Sequence, residues 1–220
     1  MSAALLESAY AAFEEAVASV DEEASWEPTG CSGWAVRDLV FHVLCDAQRA
    51  LVALHTPAPY DARPDRDAVT YWEGWGSDTE GDANGRRWTR VSGAMFRDWT
   101  RLAALHGETS AAARDAVRRS DPGALVATQG HVLTVGDLAS TLAVEATVHH
   151  LDLVAHLDGR PGPEAGALAE VRRVVEALAG PFPADLDDVR VALIATGRAA
   201  PDDAERTALA EVLPNLPAFS

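Results

Sequence analysis

Glu145 and His149 stand four residues apart, so on an α-helix their side chains rise from adjacent turns of one face. A carboxylate and an imidazole at that spacing are both metal donors. A second imidazole, such as His42 far earlier in the chain, would complete a set of two nitrogens and one oxygen. Such a set suits a divalent metal with three protein ligands and one coordination position left open, the mark of a catalytic rather than a structural centre. The spacing also permits a plainer reading. Glu145 could pair with an arginine of a neighbouring helix, and His149 could be a satisfied core imidazole. Helical periodicity does not bring His42 to the pair. It lies off the apolar stripe of Val36, Leu39, Val40, Val43, Leu44, Ala47 and Leu51, among Asp38, Cys45, Asp46 and Arg49, where it reads as exposed.

The elements that must position these residues are helical. Three- and four-residue apolar spacings predict helices over 3–20, 36–54, 84–106 and 111–119. Between 57 and 85, Pro57, Pro59, Pro64, Gly74, Gly76, Gly81 and Gly85 predict an irregular stretch. Residues 125–134 read as extended, with a turn at Gln129-Gly130 and room for a small hairpin. The helix expected over 135–157 carries both Glu145 and His149. It is apolar nearly all round, as a helix enclosed by its neighbours must be. Gly159, Pro161, Gly162 and Pro163 then make the clearest boundary. Beyond it, helices are expected over 164–179 and from about 185 and 201. The sequence thus predicts an all-α chain, with a four-helix bundle over 1–160 and a mostly helical extension over 161–220.

Composition narrows the function. The formal charge is −16, which excludes the clustered basic surface that nucleic acid requires. All 18 basic residues are arginine, so neither a Schiff base nor a lysine general base is available. Cys31 and Cys45 read as free thiols of a reducing compartment. The first ten residues lack the basic and apolar regions of a signal peptide, and no stretch approaches the roughly 20 apolar residues of a membrane span. A cytoplasmic protein, monomeric or homodimeric, acting on small molecules and not on nucleic acid or membranes, is expected.

The run from Gly33 to Val43, Gly-Trp-Ala-Val-Arg-Asp-Leu-Val-Phe-His-Val, resembles the second-helix signature of the mycothiol-dependent maleylpyruvate isomerase family. That family belongs to the DinB-like superfamily of metal-binding four-helix bundles. Its signature has a Trp, a short Val-Arg-Asp-Leu run and then a His ligand. The run from Val144 to Leu153 is similar to the second family signature, a Glu and a His ligand followed by Asp-Leu. Ala195-Thr196-Gly197-Arg198 resembles, more weakly, the ending of many relatives. The resemblance implies a DinB-like bundle in which His42, Glu145 and His149 bind one divalent metal. Zinc is favoured by the donor types, with nickel or iron compatible. It further implies mycothiol as a thiol cosubstrate, and either isomerisation of a maleylpyruvate-like acid or thiol S-transfer.

Other residues take their expected roles around that trio. Asp152, one turn after His149, could orient the ligand or be a helix-face charge paired with Arg49 or Arg97. It could also serve as the base that a rival metal-water hydrolase would need. Arg49, two turns from His42, is the first candidate for positive charge near a substrate carboxylate; Arg86, Arg90 and Arg97 follow, each with a solvated surface charge as its alternative. His150 points about 100° from His149 and cannot easily share its metal, and His156 is expected to line or pack rather than ligate. Cys45 is expected to be a small half-buried thiol. Trp34, Trp72, Trp75 and Trp99 are expected to pack, and Trp88 could wall a pocket. Complete relatives carry a sizeable C-terminal domain, whereas 161–220 are short, which puts maleylpyruvate itself in doubt. A non-catalytic binding protein is the rival outside enzymology.

Overall fold

The computed structural model describes residues 2–56, 58–74 and 79–219, the side chains of 79–82 excepted. Pro57, Trp75 and Gly76 lie outside the described residues. The elements are α1 (Ser2–Ala18), α2 (Val36–Leu54), α3 (Thr79–Ala94), α4 (Trp99–Arg119), β1 (Leu125–Thr128), β2 (His131–Thr134), α5 (Val135–Val154), α6 (Ala165–Ala179), α7 (Asp188–Ala195) and α8 (Asp203–Ala208). Helices α1, α2, α4 and α5 pack around one another as a four-helix bundle, α3 lies along α2, and α6 and α7 cover the free side of α5. No helix among the described residues is long and apolar enough to cross a membrane.

One expectation about the helices fails. Residues 84–106 do not form one helix, and 111–119 are not separate from what precedes them. The break falls at 95–98 instead, and α4 runs unbroken through Gly107. Tertiary partners impose that break. The Trp99 indole Nε1 donates to the Val20 carbonyl at 2.8 Å, and the Trp99 amide donates to Glu22 Oε2 at 2.7 Å. Arg37 reaches the Phe96 carbonyl at 3.2 Å. These contacts tie 96–99 to the loop after α1 and to the start of α2, whereas Gly107 costs an Ala-rich helix only about 1 kcal/mol. Gly81 and Gly85 lie inside α3, not in an irregular stretch. Gly93 lets α3 approach α2 closely, since a Cβ there would come within 3.1 Å of the Arg37 carbonyl.

The hairpin forms where the sequence places it. Leu125 pairs with Thr134 and Thr128 with His131. The two turn residues, Gln129 (φ 49°) and Gly130 (φ 81°), both occupy the left-handed region that a two-residue hairpin loop demands. Thr134 then caps α5, its Oγ1 accepting from the Asp137 amide at 3.0 Å.

Every residue of α5 from Leu138 to Leu153 is buried. Its bundle face packs Leu138, Ala139, Leu142 and Ala146 with Leu6, Ala9 and Tyr10 of α1. Its outer face packs Val144, Val148 and Leu151 with Val171, Val174 and Val175 of α6 and Val191 and Ile194 of α7. A helix clamped on both sides holds any polar side chain it carries in fixed surroundings.

Candidate metal centre

Three side chains from two helices converge at the junction of α2 and α5. One nitrogen or oxygen atom each from His42, Glu145 and His149 lie within 4.8 Å of one another. His149 Nε2 is 3.4 Å from Glu145 Oε2. The His42 and His149 rings stand nearly perpendicular, 87° apart, with centroids 4.8 Å apart. Among the described residues Glu145 pairs with this imidazole and not with an arginine. A buried carboxylate facing two imidazoles is a donor set that fits a divalent cation. Burial, with the nearby Asp46 carboxylate, raises the Glu145 pKa against the opposing pull of His149 and Arg49.

His42 is not the freely exposed side chain that periodicity suggested. Its side chain keeps 30% exposure, with the rest enclosed. The Trp34 ring tilts over it at 5.1 Å and 51°. Trp34 precedes α2 and is placed by a local backbone clasp, in which the Thr29 amide donates to the Trp34 carbonyl at 3.1 Å. A residue outside the helix does the covering, which no helical pattern can report. Burial lowers the His42 pKa to about 4, against the opposing pull of Asp46. Asp46 Oδ2 stands 3.7 Å from His42 Nε2 and has no hydrogen-bond partner among the described residues.

His149 is held differently. Its Nδ1 lies 3.0 Å from Asp152 Oδ2, which leaves Nε2 facing Glu145 and His42. Asp152 is 1% exposed and takes a two-pronged contact from Arg198, Nε to Oδ1 and Nη2 to Oδ2, both at 2.8 Å. The ion pair thus goes to Arg198 of the extension, not to Arg49 or Arg97. Burial disfavours protonated His149, but Asp152 and Cys31 outweigh it and carry the pKa well above 6.5. Burial likewise opposes the Asp152 carboxylate, and His149 and Arg198 together hold its pKa well below the usual range.

Sequence reasoning missed Cys31. Its Sγ lies 3.1 Å from Asp152 Oδ2 and 3.8 Å from His149 Nδ1. Nothing in the local sequence announces this, because the contact depends on the Gly30 amide donating to the Asp152 carbonyl at 2.9 Å. Cys31, His149 and Asp152 also cluster within 4.8 Å. That second cluster does not suit a cation, since Asp152 is already neutralised by a guanidinium that would repel one.

The remaining candidates fall into place around this centre. Arg49 is enclosed, not solvated: its Nη1 donates to Tyr71 Oη and to Gln129 Oε1, both at 2.8 Å, and its Nη2 lies 3.5 Å from Asp46. Arg86, Arg90 and Arg97 are exposed. His150 turns away from the site, with its Nε2 3.0 Å from the Pro161 carbonyl and its ring edge-on to Phe13. His156 is exposed beyond the end of α5, so it neither lines the site nor packs. Cys45 is half-buried, its thiol pushed up to about 11 by burial and by Asp46, and therefore protonated near neutral pH. Trp72 and Trp99 pack in the core, while Trp88 is 55% exposed and meets Phe41 edge-on.

A family profile described as the mycothiol maleylpyruvate isomerase N-terminal domain matches residues 6–154. Two solved structures share the fold. The crystal structure of the mycothiol-dependent maleylpyruvate isomerase is 20% identical, with a TM-score of 0.55. That of its histidine-to-alanine mutant is 18% identical, with a TM-score of 0.57. Each alignment covers 80% of this chain and 67% of the other. A comparison with curated proteins finds no match.

Proposed function

Because this chain belongs to the mycothiol maleylpyruvate isomerase N-terminal domain family, we propose that it is a metal-dependent enzyme that activates a low-molecular-weight thiol, mycothiol. Its reaction is the cis–trans isomerisation of a maleylpyruvate-like acid or the transfer of the thiol sulfur to an electrophile. The observation that carries this reading is the convergence of His42, Glu145 and His149, with the far nitrogen of His149 held by Asp152. In this reading 1–160 are a DinB-like metal-binding bundle, and 161–220 are an extension covering the outer face of α5.

His42, Glu145 and His149 would hold the metal, and two imidazoles with one carboxylate favour zinc. When bound, such a metal lowers the pKa of a thiol ligand enough to make it a thiolate near neutral pH. Asp152 keeps the proton of His149 on Nδ1 and so presents Nε2 as the donor. Arg49, fixed by Tyr71 and Gln129, places a permanent positive charge behind Glu145 and Asp46. Charge of that sign is what a substrate carboxylate and a developing enolate need. A cis-enoic keto acid would accept the sulfur at one alkene carbon while its π electrons move to the carbonyl oxygen. Rotation about the former alkene bond, now single, and loss of the thiolate as the enolate collapses would then give the trans acid. In S-transfer the new C–S bond persists and the electrophile's leaving group departs.

The test is turnover of maleylpyruvate, and of a simple alkylating electrophile, with and without mycothiol. Thiol-dependent turnover of either, lost in His149→Ala, is the expected result. Turnover that needs no added thiol would instead favour metal-water hydrolysis.

A further inference from the structure

Three parts of the chain distant in sequence meet at Asp152. His149 Nδ1 lies 3.0 Å from one carboxylate oxygen, and the Cys31 thiol donates to the same oxygen at 3.1 Å. Arg198 grips both oxygens at 2.8 Å from the segment after α7. The Asp152 carbonyl accepts the Gly30 amide at 2.9 Å. Gly30 admits no side chain, since a Cβ would come within 2.5 Å of Asp152 Oδ1 and 3.0 Å of its Cα. The loop before α2 and the segment after α7 therefore meet at one residue.

We infer that Arg198 is a positioning residue for the metal centre, fixing the Asp152 carboxylate so that Asp152 in turn fixes the tautomer and orientation of His149. The inference rests on the metal-centre reading above and extends it to a residue of the C-terminal segment. A lone aspartate at the end of α5 could swing between His149, Cys31 and solvent, whereas a bidentate guanidinium locks its plane. With the plane locked, one oxygen is committed to His149 Nδ1, and the imidazole presents Nε2 at a constant angle to Glu145. The Gly30 amide, by donating to the Asp152 carbonyl, holds the backbone of the same residue. Arginine suits the task better than lysine, because only the planar fork constrains both oxygens together.

The test is the zinc dissociation constant, measured by competition with a chromophoric chelator, for wild type, Arg198→Ala, Arg198→Lys and Arg172→Ala. Arg172 pins the same extension through Glu176, Asp188 and the Pro183 carbonyl without touching Asp152, so its variant reports damage to the segment alone. The expected result is a 10- to 100-fold weaker affinity in Arg198→Ala, in the range seen when groups supporting a metal-bound histidine are removed. Partial recovery is expected on adding methylguanidinium, with Arg198→Lys intermediate and Arg172→Ala unchanged. Nitrogen chemical shifts of His149 in the metal-free protein, recorded at a pH high enough to leave the ring neutral, should also move from one tautomer to a mixture in Arg198→Ala. An unaltered zinc affinity in a folded Arg198→Ala protein would overturn the inference, as would an equal loss in Arg172→Ala. Failure of the wild type to bind zinc would instead refute the metal-centre reading on which it rests.

Discussion

The two imidazoles of the centre sit on helices of very different character. His149 belongs to α5, buried from Leu138 to Leu153, and its outward nitrogen meets Asp152 at 3.0 Å. His42 belongs to α2, keeps 30% exposure, and meets its own-helix carboxylate Asp46 only at 3.7 Å, beyond hydrogen-bond length. One is gripped by ion pairs and protonates readily; the other is covered by an indole and resists protonation. A centre built this way has a fixed half on α5 and a compliant, solvent-facing half on α2. The fixed half sets the geometry, and in the proposed reading the compliant half is where a thiol and its partner would approach.

The largest effects should come from the fixed half. His149→Ala should abolish stoichiometric zinc binding and thiol-dependent turnover together, as read by metal analysis and assay. Asp152→Ala should leave Arg198 charged and buried without its partner. Breaking a buried pair in this way costs about 3–5 kcal/mol, measurable by chemical denaturation. A loss below about 1 kcal/mol would mean that the fixed half is not held as described.

A third imidazole gives the comparison a pH axis. His106 is 1% exposed, lies against Phe13 at 5.3 Å, and among the described residues has its Nδ1 unpartnered. Burial, aided by Arg114, lowers its pKa from 6.5 to about 4. Above pH 6.5 it is neutral in both states and its contribution to stability is complete. As pH falls through 6.5 the unfolded chain takes up the proton first, and stability drains away until the folded pKa near 4 is reached. The loss is on the order of 3 kcal/mol over that window. His106→Gln should flatten this part of the stability profile, whereas an unchanged slope would exclude His106 as its source.

The smallest effect belongs to the compliant half. Asp46→Asn should weaken zinc binding only by roughly threefold, well short of the 10- to 100-fold typical where a carboxylate truly holds the ligand. A loss of about 10-fold or more would erase the distinction between the halves.

How far the sequence carried these points depends on whether the contacts were local. The α5 register, the Gln129-Gly130 turn and the placing of Glu145 and His149 on one helix face follow from local spacing, which left their pairing open. His42 could be placed beside them only by its resemblance to a family signature, because Trp34 and the Thr29 clasp that cover it lie outside its helix. The break at 95–98 was invisible for the same reason, being imposed by Val20, Glu22 and Arg37. Arg198 stood in a recognised tail motif, but its role exists only through a carboxylate 46 positions away. Cys31 carried no signal at all.

Whether His42, Glu145 and His149 hold one metal decides the proposed function. Metal content of the wild-type protein and of Glu145→Ala, both purified without chelator and measured by plasma mass spectrometry, tests this most directly. One equivalent of divalent metal in the wild type and essentially none in folded Glu145→Ala is the predicted result. A metal-free wild type that takes up no zinc on titration, or an equal metal content in both proteins, would contradict it.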